Sequence, residues 1–431
     1  MNQSNLENPF DVLIIGGGLS GLTSALRLHE REPGLRIALL EANNVIGGQL
    51  RANQLGELGA KWITEDQYHI YTLLRDLNVT LHRRNIDGLT LQRYWQIDRG
   101  IFARLSKYEL KRYINELELQ MDSRGAEAKR FSKLTMHSHI GKHLFFSMSR
   151  KFMSNFVLLI SGTEACDISF NEFINICRTS GGIGRLINLL YEVPNGIIGF
   201  SSGELITKIM DHLSYVEFHY GHKVIEIQQY RDYVHVRDSQ NNMYVAQAVI
   251  VAIPWNFIQE IKFRPALPLE LVKPPANVNK TKHVLTSFLA SYRESHWQRE
   301  NYSGQYLNLE PFLITHHYHD NILYGYYIHE EGIEPLVKTI ILHKLAEAFG
   351  EGMLVPLEYS QHTFEMSSVA HAPLTTPWNR VIWSSSAAAG TCYRGLLGGA
   401  VQSGYRAVMN TLLVCRPQLV TWQDISEIQC P

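Results

Sequence analysis

The sequence has few cysteines and lacks long hydrophobic runs. Its five cysteines are odd in number and scattered, without a C-x-x-C pair: Cys166, Cys177, Cys392, Cys415 and Cys430. Such spacing is typical of reduced thiols in a reducing compartment, so we expect a cytoplasmic protein. The amino end lacks the hydrophobic core of a signal peptide, and no apolar stretch approaches the length that crosses a bilayer. We therefore expect a soluble chain without a transmembrane anchor.

The sequence also lacks a strong charge imbalance, an internal repeat and a low-complexity linker. Its formal net charge of −1 argues against bulk binding of nucleic acid. With 431 residues, of which 45% are hydrophobic and 19% charged, the chain can bury a large core. These values predict a globular chain of two interleaved domains.

A glycine-rich turn stands near the start, in DVLIIGGGLSGLTSALRLHE (residues 11–30). Val12 to Ile15 reads as a buried strand, and helical spacing begins directly after the glycines. Gly16, Gly18 and Gly21 form the G-x-G-x-x-G pattern, in which glycine permits the turn, the approach of a pyrophosphate and close helix packing. The helix start presents free N–H groups to phosphates. The pattern predicts a dinucleotide site.

An acidic residue follows at the spacing that such a site needs. A second strand, Arg36 to Leu40, ends at Glu41, about 20 residues after the last glycine of the pattern, where a carboxylate can accept hydrogen bonds from a ribose. A glycine turn without a ligand is the competing interpretation, and this strand, turn, helix, strand and acid order disfavours it. We predict an α/β fold with a doubly wound, Rossmann-like nucleotide domain.

Three stretches together resemble the flavin-containing amine oxidase family, which includes monoamine and polyamine oxidases. They are the glycine turn, the segment from Gly47 through ELGAKWIT (57–64), and GTCYRGLLGGAVQSGYRAV (390–408). The resemblance runs from about Asp11 to about Leu413 and implies FAD as cofactor. It implies FAD contacts at Gly16, Gly18, Leu19, Ser20, Gly21, Glu41, Ala42, Gly48, Gln49, Arg51, Gly59, Ala60, Lys61, Trp62, Val224, Ala388, Leu396 and Ala400.

The chain departs from the family at some of these contacts. Gln49 stands where the family usually has arginine, although Arg51 could reach the pyrophosphate. The family's acid falls on Ala388, and losing one charge-assisted hydrogen bond weakens FAD binding about ten- to a hundredfold. The segment from Ala370 to Pro377 has no counterpart of the cysteine that binds flavin covalently in monoamine oxidases. We expect FAD to bind non-covalently.

The resemblance also implies a domain division. Residues 8–75, 200–262 and 381–415 would form the FAD-binding domain. Residues 76–199 and 263–380 would form a substrate domain of mixed sheet with a helical insertion, placed opposite the flavin.

The reactive side departs further from the family. Ser287 stands where monoamine oxidases carry a lysine, and Lys280 and Lys282 lie an odd number of strand positions away, so they would face the other side. The second aromatic residue of the family's substrate cage falls on Leu396, with Tyr393 as a substitute nearby. Trp62 would also line the pocket. Because the flavin carries the chemistry, no catalytic side chain is assigned.

Three functions stay open from the sequence. The first is an FAD-dependent oxidoreductase that takes a hydride from the C–H of an amine and passes electrons to molecular oxygen. The second is an FAD-binding partner or scaffold with little oxidase activity, which Ser287, Leu396 and Ala388 favour. The third is a flavin-dependent C–C desaturase. The substrate of the first would be a small molecule, and the sequence leaves the oligomeric state open.

Two further patterns carry no predicted site. The histidines His137, His139 and His143, and later His316, His317 and His319, lack a recognised ligand spacing, and alternation along a strand would separate His316 from His317. We expect no metal. The basic stretch from Lys129 to Lys151 is compatible with a membrane surface or an acidic partner, but a solvated helical face is favoured, with Phe145 and Phe146 joining the core.

Overall fold

Strands and helices alternate through most of the chain in the computed structural model, which describes residues 8–83, 89–91, 101–122, 134–191, 197–268, 271, 283–299, 301–367, 375–390 and 393–429. The strands are β1 Phe10–Ile15, β2 Ile37–Glu41, β3 Ala52–Asn53, β4 Gly56–Glu57, β5 Trp62–Thr64, β6 Leu81–Arg83, β7 Leu89–Leu91, β8 Ile197–Phe200, β9 Glu217–Tyr220, β10 Val224–Gln229, β11 Val234–Asp238, β12 Met243–Val251, β13 Lys262–Arg264, β14 His283–Ser291, β15 Tyr302–Leu309, β16 Phe312–His317, β17 Ile322–Glu330, β18 Glu358–Glu365 and β19 Val381–Trp383.

The α-helices are α1 Leu19–Arg31, α2 Tyr68–Asp76, α3 Ile101–Asp122, α4 Met136–His143, α5 Ser147–Ser161, α6 Phe170–Thr179, α7 Ile183–Tyr191, α8 Ser202–Asp211, α9 Trp255–Ile258, α10 His296–Arg299, α11 Glu334–Phe349, α12 Leu397–Cys415 and α13 Trp422–Glu427. The predicted strand at residues 36–40 is observed one residue later, at 37–41.

The larger sheet has eight strands in the order β13-β10-β11-β12-β1-β2-β9, with β19 beside β12. Its centre is parallel, because β1 pairs in parallel with both β2 and β12. These central strands are buried on both faces, which explains their continuous apolar sequence. The α/β prediction is confirmed.

Helices α1 and α12 cross one face of this sheet in close contact. A Cβ atom at Gly404 of α12 would lie 2.9 Å from the Cβ of Thr23 in α1, so glycine is needed where the two helices meet. The helices also share a buried cluster with Leu22, Val401 and Val408. The last long helix therefore completes the layer that the first helix begins.

The smaller sheet has six strands in the order β18-β14-β17-β16-β15-β7. Strand β14 lies between β17 and β18, and both pairings are antiparallel. One face of the sheet is apolar and packs on α11, through residues such as Phe288, Tyr327 and Leu345. The other face carries Ser287 and its cross-strand neighbours.

The helical insertion consists of α3 to α7. Its apolar faces form one cluster that reaches the six-stranded sheet through Leu307, Phe312 and Ile328. The predicted domain boundaries stay a prediction.

Candidate functional site

The turn between β1 and α1 contains glycines of two kinds. Gly16 has a φ of +103°, and a Cβ at Gly21 would lie 2.0 Å from the carbonyl oxygen of Gly16, so both glycines are required by the protein's own packing. A Cβ at Gly18 would meet only the Cα of Gly48, at 3.9 Å. Gly18 is also the N-cap of α1 and offers no capping side chain. The open space at Gly18 therefore faces the positive end of a helix.

Glu41 ends β2 beside this turn, at the carboxyl edge of the parallel strands. Its side chain is 7% exposed. One carboxylate oxygen accepts a hydrogen bond from the Gly17 N–H at 2.8 Å, and the other accepts one from the Asn43 N–H at 2.9 Å. The second oxygen also accepts from the Asn43 side-chain amide at 2.8 Å, whereas the oxygen bonded to Gly17 retains a further lone pair that can accept a hydroxyl group from a ligand. These bonds hold the acid in place beside the glycine turn.

Two further predicted segments lie against the same turn. The Gly47 N–H donates to the Gly17 carbonyl at 2.8 Å, and a Cβ at Gly48 would lie 3.0 Å from the Cα of Gly18. The Ala60 N–H donates to the Gln49 carbonyl at 3.0 Å. The structure thus brings the residues predicted around 48–51 and 59–62 to the first glycine turn.

The predicted residues elsewhere reach this region by different routes. The carbonyl of Glu41 accepts from the His222 N–H at 2.9 Å, which places the start of β10, with Val224, beside the acid. The Ser20 hydroxyl donates to the Ser384 carbonyl at 3.3 Å, so the segment before Ala388 lies on α1. Leu19 and Ala400 are buried, whereas Ala42 and Gln49 are exposed.

Arg406 is a buried cation beside Ala388 that sequence reasoning missed. Its side chain is 6% exposed, and its guanidinium donates to the Ala388 carbonyl at 2.5 Å. Its Nε has no hydrogen-bond partner among the described residues. Burial lowers the pKa of Arg406 to about 10, so it stays charged near neutral pH. The signal in the sequence was an arginine inside the glycine-rich, apolar pattern of α12.

The arrangement fits a dinucleotide. Open space over Gly18, the uncapped start of α1 and the fixed carboxylate of Glu41 correspond to what a pyrophosphate and its neighbouring ribose require. The residues present therefore fit FAD, with Gly18 and Glu41 as the positions that would hold it.

Ser287 lies on the face of the six-stranded sheet opposite α11. It is fully buried, and its cross-strand neighbours are Tyr326 on β17 and His362 on β18. Its hydroxyl has no hydrogen-bond partner among the residues that the structure describes. A hydroxyl of this kind is costly to bury unless a ligand or water satisfies it.

Lys61 and Trp62 extend from the glycine-rich side to this face. The Lys61 side chain is 2% exposed; its Nζ donates to the Glu57 carbonyl at 2.7 Å and lies 3.8 Å from the ring centroid of Tyr324. Trp62 packs 5.8 Å from the same ring. Tyr324 pairs with Leu289, two residues along β14 from Ser287. The buried ammonium therefore lies on the Ser287 face, about 7 Å along the strand from the serine's pair.

Two basic side chains, Arg51 and Lys61, lie beside this face. Burial lowers the pKa of His362, and the charge of Arg51 lowers it further. Arg51 also donates through Nε to the Gly48 carbonyl at 3.1 Å, which holds it between the glycine loop and the sheet. Lys61 and Arg51 were both predicted as cofactor contacts. The structure places both near side chains of the six-stranded sheet.

The two candidates for the cage position behave differently. Leu396, the N-cap of α12, packs on the same hydrophobic cluster as Tyr326. The Tyr393 hydroxyl donates to a carboxylate oxygen of Asp66 at 2.9 Å, and burial followed by that bond raises its pKa to about 12. Tyr393 is therefore held at Asp66, and its role as a cage residue stays a prediction.

The two histidines of β16, which were assigned no site, lie on opposite faces of the six-stranded sheet. His316 stacks on Tyr324 at 5.2 Å and His317 lies 5.8 Å from Trp297, so the two histidines face opposite sides as expected. In the described part of the chain, one group of metal-ligating type has its ligand atoms within 4.8 Å: Glu164, Cys166 and Asp167. Lys280, Lys282, Cys392, Cys430 and the residues from 368 to 374 lie outside the described residues.

The comparisons with known proteins agree with this geometry. The family described as flavin containing amine oxidoreductase matches residues 19–328. The chain belongs to this family. The predicted resemblance is therefore confirmed, and FAD is the cofactor of flavin-containing amine oxidoreductases such as this chain. Its non-covalent attachment stays a prediction.

Two relatives show how far the likeness extends. Amine oxidase [flavin-containing] A of Sus scrofa is 26% identical over 325 residues, which cover 70% of this chain and 60% of that protein. Amine oxidase [flavin-containing] B of Homo sapiens is 25% identical over 479 aligned positions, covering 98% of this chain and 90% of that protein.

Solved structures share the fold. Cyclohexylamine oxidase from Brevibacterium oxydans IH-35A matches with a TM-score of 0.79 and 19% identity, over 95% of this chain and 99% of its own. Wild-type putrescine oxidase bound to putrescine matches with a TM-score of 0.76 and 19% identity, over 94% of this chain and 99% of its own. At these identities the likeness shows the fold alone.

Among the residues that the structure describes, each helix is either too short or too polar to cross a bilayer.

Proposed function

We propose that this chain is an FAD-dependent oxidoreductase that oxidises a small amine, with hydride transfer from the substrate C–H and molecular oxygen as electron acceptor. The observation that carries the proposal is the segment from Gly59 to Trp62. Its first half lies against the glycine turns, and its second half, with Lys61 and Trp62, lies against Tyr324. One short segment therefore connects the glycine turns, where the nucleotide would bind, to the buried aromatic side chains of the Ser287 face.

Bound FAD would supply the chemistry by accepting a hydride from the carbon that carries the amine. The chain would hold the nucleotide through Gly18 and Glu41. The face with Ser287 and Tyr326 would exclude water, since Ser287 is fully buried and Tyr326 packs on the hydrophobic cluster. The Ser287 hydroxyl would be satisfied by the substrate.

The positive charges beside this face bear on the substrate class. Lys61 and Arg51 would disfavour an ammonium group and lower its pKa, which favours the neutral amine that can be oxidised. A diamine would bring a second ammonium into the same field. We therefore favour an amine with one nitrogen, in the manner of the cyclohexylamine in one neighbour's name and unlike the putrescine in the other's.

The test uses the purified flavoprotein with two amines. Anaerobic mixing with cyclohexylamine is expected to bleach the flavin absorbance, and in air the same amine should release peroxide. Putrescine, at equal concentration, should bleach the flavin more slowly. Failure of both amines, and of a wider panel of amines and amino acids, to bleach the flavin would contradict the amine proposal.

The attachment of FAD is tested separately. The proposal includes non-covalent FAD, so acid precipitation should leave the yellow colour in the supernatant. Colour retained in the pellet would contradict it, and a colourless protein that cannot be reconstituted with FAD would contradict the cofactor assignment for this chain.

Ser287 favours a second candidate function, an FAD-binding partner or scaffold with weak or no oxidase activity. Its place on the buried face holds no ammonium where the family resemblance implies a lysine. A flavin that is reduced by light but bleached by no substrate would support this alternative. Bleaching by a substrate without an amine would instead support a C–C desaturase.

The predicted location is part of the proposal. Three cysteines in the described part of the chain, Cys166, Cys177 and Cys415, are free thiols. Free thiols are typical of a reducing compartment, which supports a cytoplasmic location.

A further inference from the structure

Phe145 projects into solvent from the loop between α4 and α5. Its side chain is 78% exposed, whereas Leu144 before it is buried and Phe146 after it is half-buried. The expectation that Phe145 joins the core is wrong. The core of the helical insertion takes Leu144 and Phe152, and the loop turns the intervening ring outward. The ring meets Phe146 edge to face, with 5.4 Å between the centroids, but most of its apolar surface stays in contact with water.

The loop is held in this conformation by charged side chains. Both carboxylate oxygens of Glu109, on α3, accept backbone N–H groups: that of Phe145 at 2.6 Å and that of Phe146 at 3.2 Å. Arg150 donates to the Leu144 carbonyl and to the Phe145 carbonyl, each at 2.8 Å. Four charge-assisted hydrogen bonds therefore fix the backbone that presents the ring.

Helix α3 carries a stripe of exposed side chains beside this loop. Its members are three, four or seven residues apart in the sequence. Leu105, Tyr108 and Leu119 are 45%, 69% and 72% exposed. Helical periodicity places these three on one side together with exposed cations and one amide: Arg104, Lys111, Arg112 and Asn115. Glu116 borders the stripe, one turn from Arg112 and Leu119, and its carboxylate lies 3.5 Å from the Nδ1 of His143. Arg104, Lys111 and Arg112 form no ion pair with a residue that the structure describes.

We propose that Phe145 and this stripe of α3 form a docking surface for a membrane rich in anionic lipid. Unpaired arginine and lysine residues match negatively charged headgroups, and exposed Phe and Leu side chains enter the boundary of the acyl chains. An acidic peptide would satisfy the cations but would leave Leu105 and Leu119 without an apolar partner. The rigid presentation of Phe145 lowers the entropy cost of its insertion.

The surface is independent of the proposed oxidase function, because none of its residues belongs to the flavin or substrate site. The experiment is sedimentation of the flavin-loaded protein with vesicles of phosphatidylcholine, with and without phosphatidylserine. We expect binding to the anionic vesicles that falls as salt is added, and little binding to phosphatidylcholine alone.

Matched variants locate the contact. Phe145→Ser is expected to weaken vesicle binding about tenfold, and Lys111→Ser about fivefold. Trp422→Ser is the control, because Trp422 on α13 is 84% exposed and lies outside this surface. Folding of each variant is checked by its flavin spectrum and its thermal unfolding, which loss of an exposed side chain should not change.

Several results would overturn the proposal. They are absence of binding to anionic vesicles, binding that both surface variants leave unchanged, and an equal loss in Trp422→Ser. Binding to polyglutamate beads without binding to vesicles would assign the surface to an acidic protein partner instead.

Discussion

The glycine turn and the Ser287 face are built by different physical rules. At the turn, backbone geometry determines which residue fits. Gly16 has a positive φ, and Gly21 has no room for a methyl group beside the Gly16 carbonyl. On the Ser287 face, neighbours from other strands, Tyr326 and His362, decide the environment. The turn is therefore local in sequence, whereas the face is assembled from distant segments. Substitutions at the turn should therefore act through clashes with the backbone. Substitutions on the Ser287 face should act through interactions with neighbouring side chains.

Gly21→Ala should have the largest effect. The added methyl group would lie 2.0 Å from the Gly16 carbonyl oxygen, so we expect destabilisation of more than about 3 kcal/mol. Gly18→Ala is the matched control, because its methyl group meets no atom closer than 3.9 Å. It should leave the apoprotein's urea unfolding within about 0.5 kcal/mol of the parent and still weaken FAD binding. Equal apoprotein stability in the two variants would contradict the distinction.

Acid should destabilise the helical insertion through His139. This residue is 1% exposed, bonds to the Tyr113 hydroxyl at 2.7 Å, and has its pKa lowered from 6.5 to about 4 by burial and by the charges of His143 and Lys142. The unfolded histidine gains a proton near 6.5, whereas the folded one does so only near 4. Stability is therefore complete above the first value and falls between the two, by at most about 3 kcal/mol.

The measurement is urea unfolding at a series of pH values, with His139→Gln as the comparison. The variant should be less stable near neutral pH and should lose less stability on acidification. Parallel pH profiles for the two proteins would show that another group is responsible.

Glu41→Ala should weaken FAD binding about ten- to a hundredfold, since a ribose hydroxyl bonds more strongly to a charged carboxylate than to a neutral group. Gln49→Ala should change it by less than about threefold, because the exposed amide contributes mainly its backbone carbonyl. FAD titration of both apoproteins provides the comparison, and similar affinities would refute the role of Glu41.

Ser287→Lys tests the coupling between side chains on the Ser287 face. It would add an ammonium to the face that already holds Lys61 over Tyr324, so the two charges should repel. We expect Ser287→Lys to lower the free energy of unfolding in the parent protein. In a Lys61→Met background the same substitution should lower it by about 1 kcal/mol less. A double-mutant cycle of unfolding free energies measures this difference, and strict additivity would place the two side chains in separate environments.

The nucleotide half could be predicted because its requirements are local. Gly16, Gly18 and Gly21 and the strand-helix-strand order around them follow from the spacing of glycine and apolar residues. Glu41 follows in the same way, since its position at the end of a parallel strand brings it to the turn.

The Ser287 face could not be derived in the same way. Alternation along β14 assigns Ser287 to a face, but it does not identify Tyr326 and His362 as neighbours, because register depends on strands distant in sequence. The neighbours of Lys61 show the same limit: the resemblance implied a cofactor contact, which stays a prediction, but nothing in the sequence identified Tyr324 as the ring on which its side chain lies. Phe145 was mispredicted because an apolar residue in a loop carries no periodicity that reveals which way it points.

The close approach of Gly404 and Thr23 affects how the chain folds during synthesis. The first helix leaves the ribosome early, but the helix that covers it is among the last to be made. Strand β12, which pairs with β1, emerges only after more than half of the chain, and β19, which pairs with β12, emerges near the end. The apolar surface of the first strand and helix therefore stays exposed through much of translation, and chaperones can bind it during that time.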